Sequence, residues 1–153
     1  MTISARCELR LAGVHPDLVR VVRRAAEGGA LFRVEEGLRT VERQRQLVAK
    51  GASQTMNSRH LTGHAVDLLP LVDGQPTFDW KYYFPLADAV ADAARKEGVP
   101  LIWGGAWART VQDWPQGRAK QAQDAYVAER RAMKRKPFLD GPHFELPAAV
   151  YPA

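Results

Sequence analysis

The ten residues from Ser58 to Asp67 read SRHLTGHAVD, and this stretch predicts both the central strand of the fold and its chemistry. It holds two of the four histidines in the 153-residue chain, and an aspartate follows them. Gly63 tolerates a positive φ, so it permits a sharp turn. We therefore expect a strand to begin near His64. Ala65 and Asp67 would then share one face of that strand, and the residues between them would face the core.

The two histidines of this stretch do not fit a helical zinc motif. They have the four-residue spacing of H-E-x-x-H, but Leu61 stands where that motif has its glutamate, and Gly63 opposes a helix. His60 and Asp67 are seven apart, so on one straight strand they would point to opposite faces. A turn at Gly63 would let both reach one ion, and His64 would point away from it.

A third ligand is available far along the chain, in FLDGPHFEL, residues 138–146. Pro142 prevents a helix there, so the segment should turn into a strand that carries His143, with Asp140 nearby but not a ligand. Two histidines, one carboxylate and an open position are typical of catalytic zinc. Cys7 is the only cysteine, which excludes a cysteine-rich structural site. The residues alone leave a second interpretation open, in which these histidines bind no metal.

The rest of the chain predicts a small mixed fold. Apolar periodicity and terminal glycines predict helices over 16–26, 41–50 and 80–96, with a polar helix from about 119 within 116–136. Short strands are expected over 31–37, 64–71, 99–103 and 143–146. Regular βαβ alternation is absent. This favours one α+β domain over residues 1–153, with a largely antiparallel sheet flanked by helices.

Charge and hydropathy restrict the partners and the location. The net charge is +5, and the basic segment 116–136 alone carries an excess equal to it. That segment is either a solvated helix face or a contact with an anionic wall or outer-membrane surface. Only Tyr126 interleaves its charges, so a nucleic-acid stacking platform is not expected. No apolar run reaches a membrane-spanning length, and no signal pattern is visible, so we expect a cytosolic protein until something releases it.

The histidine motifs also resemble a known family. The patterns are S-x-H-x-x-G-x-A-x-D and D-x-x-H, met here by Ser58, His60, Gly63, Ala65, Asp67, Asp140 and His143. They resemble the zinc D-Ala-D-Ala carboxypeptidase and dipeptidase group, which includes VanY-like peptidases. GLRTVERQ (37–44) and IWGGAW (102–107) are similar to blocks of its L-alanyl-D-glutamate endopeptidase branch of phage endolysins and wall hydrolases. The matches run in order over roughly residues 9–147.

The resemblance implies a role for each matched residue. It implies that zinc is held by His60, Asp67 and His143, that Asp140 is the catalytic base, and that Ser58 supports the site. Arg39 would bind a substrate carboxylate or the tetrahedral oxyanion, although by pattern alone it is as well explained as a surface ion-pair residue. The family fold is a small hedgehog/DD-peptidase-like α+β domain, in agreement with the fold predicted from the residues.

The implied function is zinc-dependent hydrolysis of the peptidoglycan stem peptide between L-Ala and D-Glu by a monomeric phage endolysin. The alternatives are a D-Ala-D-Ala carboxypeptidase or dipeptidase, and a wall-binding module without activity. Two departures from the family pattern stand out. First, Ala106 stands where the family pattern WGGDW has its acidic residue, and Asp113 is a candidate to supply that acid instead. Second, the segment 111–136 is a basic insertion relative to compact members.

Overall fold

The computed structural model describes residues 3–153 as a sheet with helices packed mainly on one face. The helices are α1 (Ala5–Arg10), α2 (Pro16–Glu27), α3 (Val41–Ala49), α4 (Trp80–Glu97) and α5 (Ala119–Ala132). The strands are β1 (Phe32–Glu36), β2 (Ala65–Val72), β3 (Gln75–Pro76), β4 (Ile102–Trp103) and β5 (His143–Glu145). Single 3₁₀ turns occupy Arg59–Thr62, Val111–Asp113 and Pro115–Gly117.

The sheet is antiparallel throughout, which confirms the predicted α+β class. Its order is β1-β2-β5-β4, and the short β3 pairs with the end of β2. The two central strands are therefore far apart in the chain, and the predicted ligand segments 58–67 and 138–146 lie on or beside them. This topology brings the two sequence motifs together.

Local signals start α3 and start and stop α4. Thr40 caps α3 with its side chain, and Asp79 does the same for α4. Gly98 ends α4 in the left-handed conformation. Helix α4 begins at Trp80, before Pro85, so that proline lies inside the helix at the cost of one backbone hydrogen bond.

The core lies between the sheet and the pair of helices α2 and α4. Val66, Leu68 and Phe144 point from the central strands into it and are buried. Trp103 is fully buried in the same cluster. Because side chains alternate along a strand, Asp67 and His143 must face the opposite side of the sheet. The apolar pattern therefore fixes which face carries the polar site.

The structure differs from the sequence prediction in several elements. Helix α1, the 3₁₀ turn at Arg59–Thr62 and strand β3 were not predicted. The strand predicted over 99–103 is confined to Ile102–Trp103, because only these two residues pair with β5. No helix within residues 3–153 has both the length and the apolar character needed to cross a bilayer.

Candidate metal centre

Three neighbouring strands place a row of ionisable side chains on the open face of the sheet. Glu36 of β1 is paired with Asp67 of β2, and Asp67 is paired with His143 of β5. Residues directly opposite each other in an antiparallel sheet project to the same side. A register shift between Val34 and Glu36 brings Glu36 into this row.

His60 reaches the same place from the 3₁₀ turn that precedes β2. Ser58 caps this turn, because its Oγ accepts a hydrogen bond from the His60 backbone N–H at 3.2 Å. Gly63 ends the turn with φ 77°, and a Cβ atom there would collide with the carbonyl oxygen of Gly13. Only glycine satisfies both requirements. The predicted turn at Gly63 thus exists, and it directs His60 back over the sheet.

His60, Asp67 and His143 form a compact donor set. One ligand atom from each lies within 4.8 Å of the other two. The Oδ1 atom of Asp67 is 3.1 Å from His60 Nε2 and 3.3 Å from His143 Nδ1. His60 is only 2% exposed. The three residues implied as ligands are therefore brought together, in a nitrogen and oxygen set suited to zinc.

The outer nitrogen of each imidazole already has a partner. His60 Nδ1 lies 2.9 Å from the carbonyl oxygen of Gly37, which can only accept, so this nitrogen carries the proton. His143 Nε2 lies 2.8 Å from Glu145 Oε1. These bonds leave His60 Nε2 and His143 Nδ1 facing Asp67. Outer-shell hydrogen bonds of this kind are usual around metal-bound histidines, and the residues present fit a zinc ion.

Without a cation, Asp67 and His143 share a strong electrostatic interaction. Burial opposes the ionised form of Asp67, but hydrogen bonds from His143 and His60 outweigh burial and hold its pKa well below the usual value. Burial also opposes the charged form of His143, but hydrogen bonds to Asp67 and Glu145 raise its pKa to about 9. The Asp67 carboxylate is therefore held ionised between the two imidazoles.

Asp140 lies beside the donor set but outside it. Its backbone N–H donates to Gly104 O at 2.8 Å, and Gly104 N–H donates to His143 O at 2.7 Å. A Cβ atom on Gly104 would collide with the Asp140 carbonyl oxygen, so this glycine permits the close approach. The Asp140 carboxylate has no hydrogen-bond or ion-pair partner within residues 3–153. Burial and the nearby Asp67 raise its pKa.

Arg39 is buried and held by protein groups on every side. Its Nε and Nη2 atoms donate to Glu36 at 2.7 and 2.8 Å, and its side chain is 8% exposed. Nη1 donates to Gln44 Oε1 at 2.7 Å and approaches Ser58 Oγ at 3.4 Å, while Nη2 lies 3.8 Å from Asp67 Oδ2. Arg39 is thus not a surface ion-pair residue. One Nη2–H makes no hydrogen bond within residues 3–153, because Asp67 Oδ2 lies at ion-pair distance only.

Gln44 is a fully buried polar residue that sequence reasoning missed. Besides its bond to Arg39, its Nε2 atom donates to Ser53 Oγ at 2.9 Å and to the carbonyl oxygen of Thr55. It therefore joins the guanidinium to the loop 51–58. Glu36 and Glu145 were also missed as partners of Arg39 and His143. For Glu145 the two-residue spacing from His143 on a strand was an available signal.

These residues line one cavity of about 820 Å³, here called the main cleft. The donor set and Asp140 lie within it, and the uncharged loop 51–58 forms one wall. Trp107 forms another, with its ring centroid 5.2 Å from that of His143. Ala106 is buried, and Asp113 is exposed on a 3₁₀ turn and does not line the cleft. Asp113 therefore does not replace the acidic residue absent at position 106.

Comparisons with known proteins identify a family and several relatives of this chain. The sequence model of the family described as phage L-alanyl-D-glutamate peptidase matches residues 1–147. The L-alanyl-D-glutamate peptidase of Escherichia phage T5 is 34% identical over 107 residues, which cover 65% of this chain and 77% of that protein. A peptidase of the same name from Listeria phage A118 is 36% identical over 80 residues, 52% of this chain but 27% of that protein.

A solved structure resembles the whole chain. The L-Ala D-Glu endopeptidase ChiX of Serratia marcescens superposes with a TM-score of 0.76 at 41% sequence identity. The match covers 100% of this chain and 95% of ChiX.

Proposed function

The chain belongs to the phage L-alanyl-D-glutamate peptidase family, and we propose that it is a zinc-dependent peptidoglycan endopeptidase that cleaves the stem peptide between L-Ala and D-Glu. The observation that carries this proposal is the arrangement of His60, Asp67 and His143. Their inner atoms converge, and the outer imidazole nitrogens are held by Gly37 and Glu145. This site lies in a cleft large enough for a peptide.

Zinc is the metal we propose for this site, with His60 Nε2, His143 Nδ1 and Asp67 Oδ1 as its ligands. Three protein ligands are the usual number in catalytic zinc sites, which keep a further position open. Bound there, zinc would supply Lewis acidity that activates a water molecule and polarises the scissile carbonyl.

Asp140 is proposed as the general base and acid. Its carboxylate has no protein partner within residues 3–153, it lines the same cleft, and burial raises its pKa, which strengthens it as a proton acceptor. It would accept a proton from the attacking water as the oxygen–carbon bond forms. It would then return that proton to the leaving nitrogen as the peptide bond breaks.

Arg39 and Ser58 are proposed to shape the charge around this reaction. The Arg39 guanidinium, fixed by Glu36 and Gln44, places a positive charge beside Asp67 and in the wall of the cleft. A fixed positive charge stabilises the oxyanion of the tetrahedral intermediate without reorganisation. Ser58 orients His60 through the cap of its turn and approaches Arg39.

We also propose an endolysin's life cycle for the protein: a monomer that stays in the host cytosol until it is released to the wall. The cations at the end of α5 and just after it would then attract an anionic wall or outer-membrane surface. They are Arg130, Arg131, Lys134, Arg135 and Lys136. Replacing Arg131, Lys134 and Arg135 with glutamine should weaken binding to purified wall at low salt, and unchanged binding would contradict that contact.

Digestion of purified peptidoglycan, followed by mass spectrometry of the products, tests the proposed bond. Cleavage at the proposed position releases peptides that begin with D-Glu and leaves L-Ala on the muramyl residue. Release of free D-Ala would instead show a carboxypeptidase. Binding to the wall without any new peptide would show a module that lacks activity.

A further inference from the structure

A second cavity of about 370 Å³ opens beside the main cleft, between α5 and the chain around Trp107. We call it the side pocket. Its walls include Trp107, Tyr126, Glu129, Arg130, Met133 and Phe138. Trp107 and Phe138 also line the main cleft, so the two cavities share a wall.

An aromatic path leads from the donor set to the side pocket. The ring centroids of His143 and Trp107 are 5.2 Å apart, and those of Trp107 and Phe138 are 5.9 Å apart. The Phe138 backbone N–H donates to Tyr126 Oη at 3.1 Å, which fixes this segment on α5. A chain that crosses the metal site and continues past His143 therefore meets the side pocket.

Charge distinguishes the side pocket from the opposite end of the cleft. Among residues 3–153, no carboxylate lies within ion-pair distance of the cations at the end of α5 and just after it, Arg130, Arg131, Lys134, Arg135 and Lys136. Glu129, the acidic residue of the pocket wall, is paired with Arg109 at 2.6 Å. The loop 51–58, at the other end, contains no charged residue. The two cations that line the main cleft are held within the protein, Arg39 by Glu36 and Arg59 by the carbonyl oxygens of Leu146 and Tyr151.

From this asymmetry we propose that the side pocket binds the carboxylate-bearing part of the stem peptide, on the D-Glu side of the scissile bond. This inference rests on the proposed function. Arg130 is the cation in the pocket wall and would pair with a substrate carboxylate, while Met133 and the aromatic rings contact the aliphatic parts of the peptide. The uncharged loop 51–58 then faces the muramyl sugar, whose hydroxyl and amide groups need hydrogen bonds rather than charge.

Two synthetic peptides test this assignment: a stem peptide that begins with L-Ala-D-Glu, with all of its carboxylates free, and the same peptide with those groups amidated. The zinc-loaded protein should cleave both peptides, with a KM about fivefold lower for the acidic one at low salt. Arg130→Gln should abolish that preference by raising the KM for the acidic peptide to that for the amidated peptide. Lys120→Gln removes a cation that is paired with Asp124 on the same helix, and it should retain the preference.

Arg130→Lys separates charge from structure, because Arg130 Nε also donates to the carbonyl oxygen of Lys136 at 3.2 Å. The lysine variant keeps the charge but loses that bond, so it should retain most of the preference for the acidic peptide. Equal losses in both Arg130 variants, or a wild-type protein that does not distinguish the peptides, would overturn the assignment. If the wild-type protein instead prefers glycan-linked substrate and both Arg130 variants lose that preference, the side pocket binds the sugar and not the peptide carboxylate. If the wild-type protein cleaves neither peptide, that result contradicts the proposed function itself, and with it the assignment of the side pocket.

Discussion

Glu145 accepts a hydrogen bond from His143, with 2.8 Å between Oε1 and Nε2, and this bond decides which nitrogen of His143 faces Asp67. The two residues lie on the same face of β5 because side chains alternate along a strand. His60 has the corresponding bond to the Gly37 carbonyl. Both imidazoles therefore enter the site with one orientation.

The first prediction concerns this outer contact. Glu145→Gln should weaken zinc binding by about 10- to 100-fold, because the ring loses a charged partner that holds its orientation and basicity. Competition against a coloured chelator measures the affinity. Glu42→Gln, an exposed change on α3, is the control. Equal zinc affinity in the two variants would show that Glu145 does not support His143.

The second prediction separates the base from the ligands. Asp140→Ala should abolish hydrolysis while one zinc ion stays bound, because Asp140 lies outside the donor set. His143→Ala should lose both the metal and the activity. Metal analysis of the purified variants, together with wall digestion, compares the two effects. A near-normal rate in Asp140→Ala would make the base assignment wrong.

The third prediction concerns Gln44. Gln44→Ala leaves the buried Arg39 Nη1 without its closest partner and detaches the loop 51–58 from α3. Loss of one buried partner costs about 1–3 kcal/mol in the free energy of unfolding. Urea denaturation should show that decrease for Gln44→Ala, with a change within about 0.5 kcal/mol for the exposed Gln46→Ala. Similar values for both would remove Gln44 from the supporting network.

The fourth prediction concerns pH and the C-terminal segment. Tyr151 Oη donates to Asp17 Oδ2 at 2.7 Å, and this bond, with that from Arg20, lowers the pKa of Asp17. The native state thus favours the ionised carboxylate, so this stabilisation is present above the unfolded pKa of about 3.9 and is lost as pH falls through the lower folded value.

Tyr151→Phe should therefore lower the free energy of unfolding at pH 6 by at most about 1 kcal/mol, since Asp17 is partly exposed. The difference between the variant and the wild-type protein should shrink as pH falls toward 2. Denaturation at several pH values measures it. A difference that grows in acid would have the wrong sign for this bond.

The sequence predicts that His60, Asp67 and His143 come together, because they belong to short motifs with a strong local constraint. Gly63 marks the turn that directs His60, and Pro142 marks the entry to the strand of His143. The helices predicted over 16–26, 41–50 and 80–96 from periodicity and terminal glycines are likewise present, with bounds within one residue of those predicted. In each case the signal lies within a few residues of the feature.

The residues that sequence reasoning missed act through contacts across the fold. Gln44 looks like any polar residue of α3 until the loop 51–58 packs over it. The role of Glu36 depends on the register shift between β1 and β2. The bonds from Arg39 to Glu36 likewise depend on where β1 ends relative to the helix α3 that follows it. Such roles depend on which distant segments meet, and no local pattern encodes that.

Titration of the metal-free protein with zinc tests the central claim most directly, with hydrolysis of L-Ala-D-Glu bonds measured at each step. We predict no hydrolysis after treatment with a chelator, and recovery that rises in proportion to added zinc up to one equivalent per chain. The His60→Ala and His143→Ala variants should not recover. Full hydrolysis by protein stripped of metal, or recovery in those variants, would contradict the account.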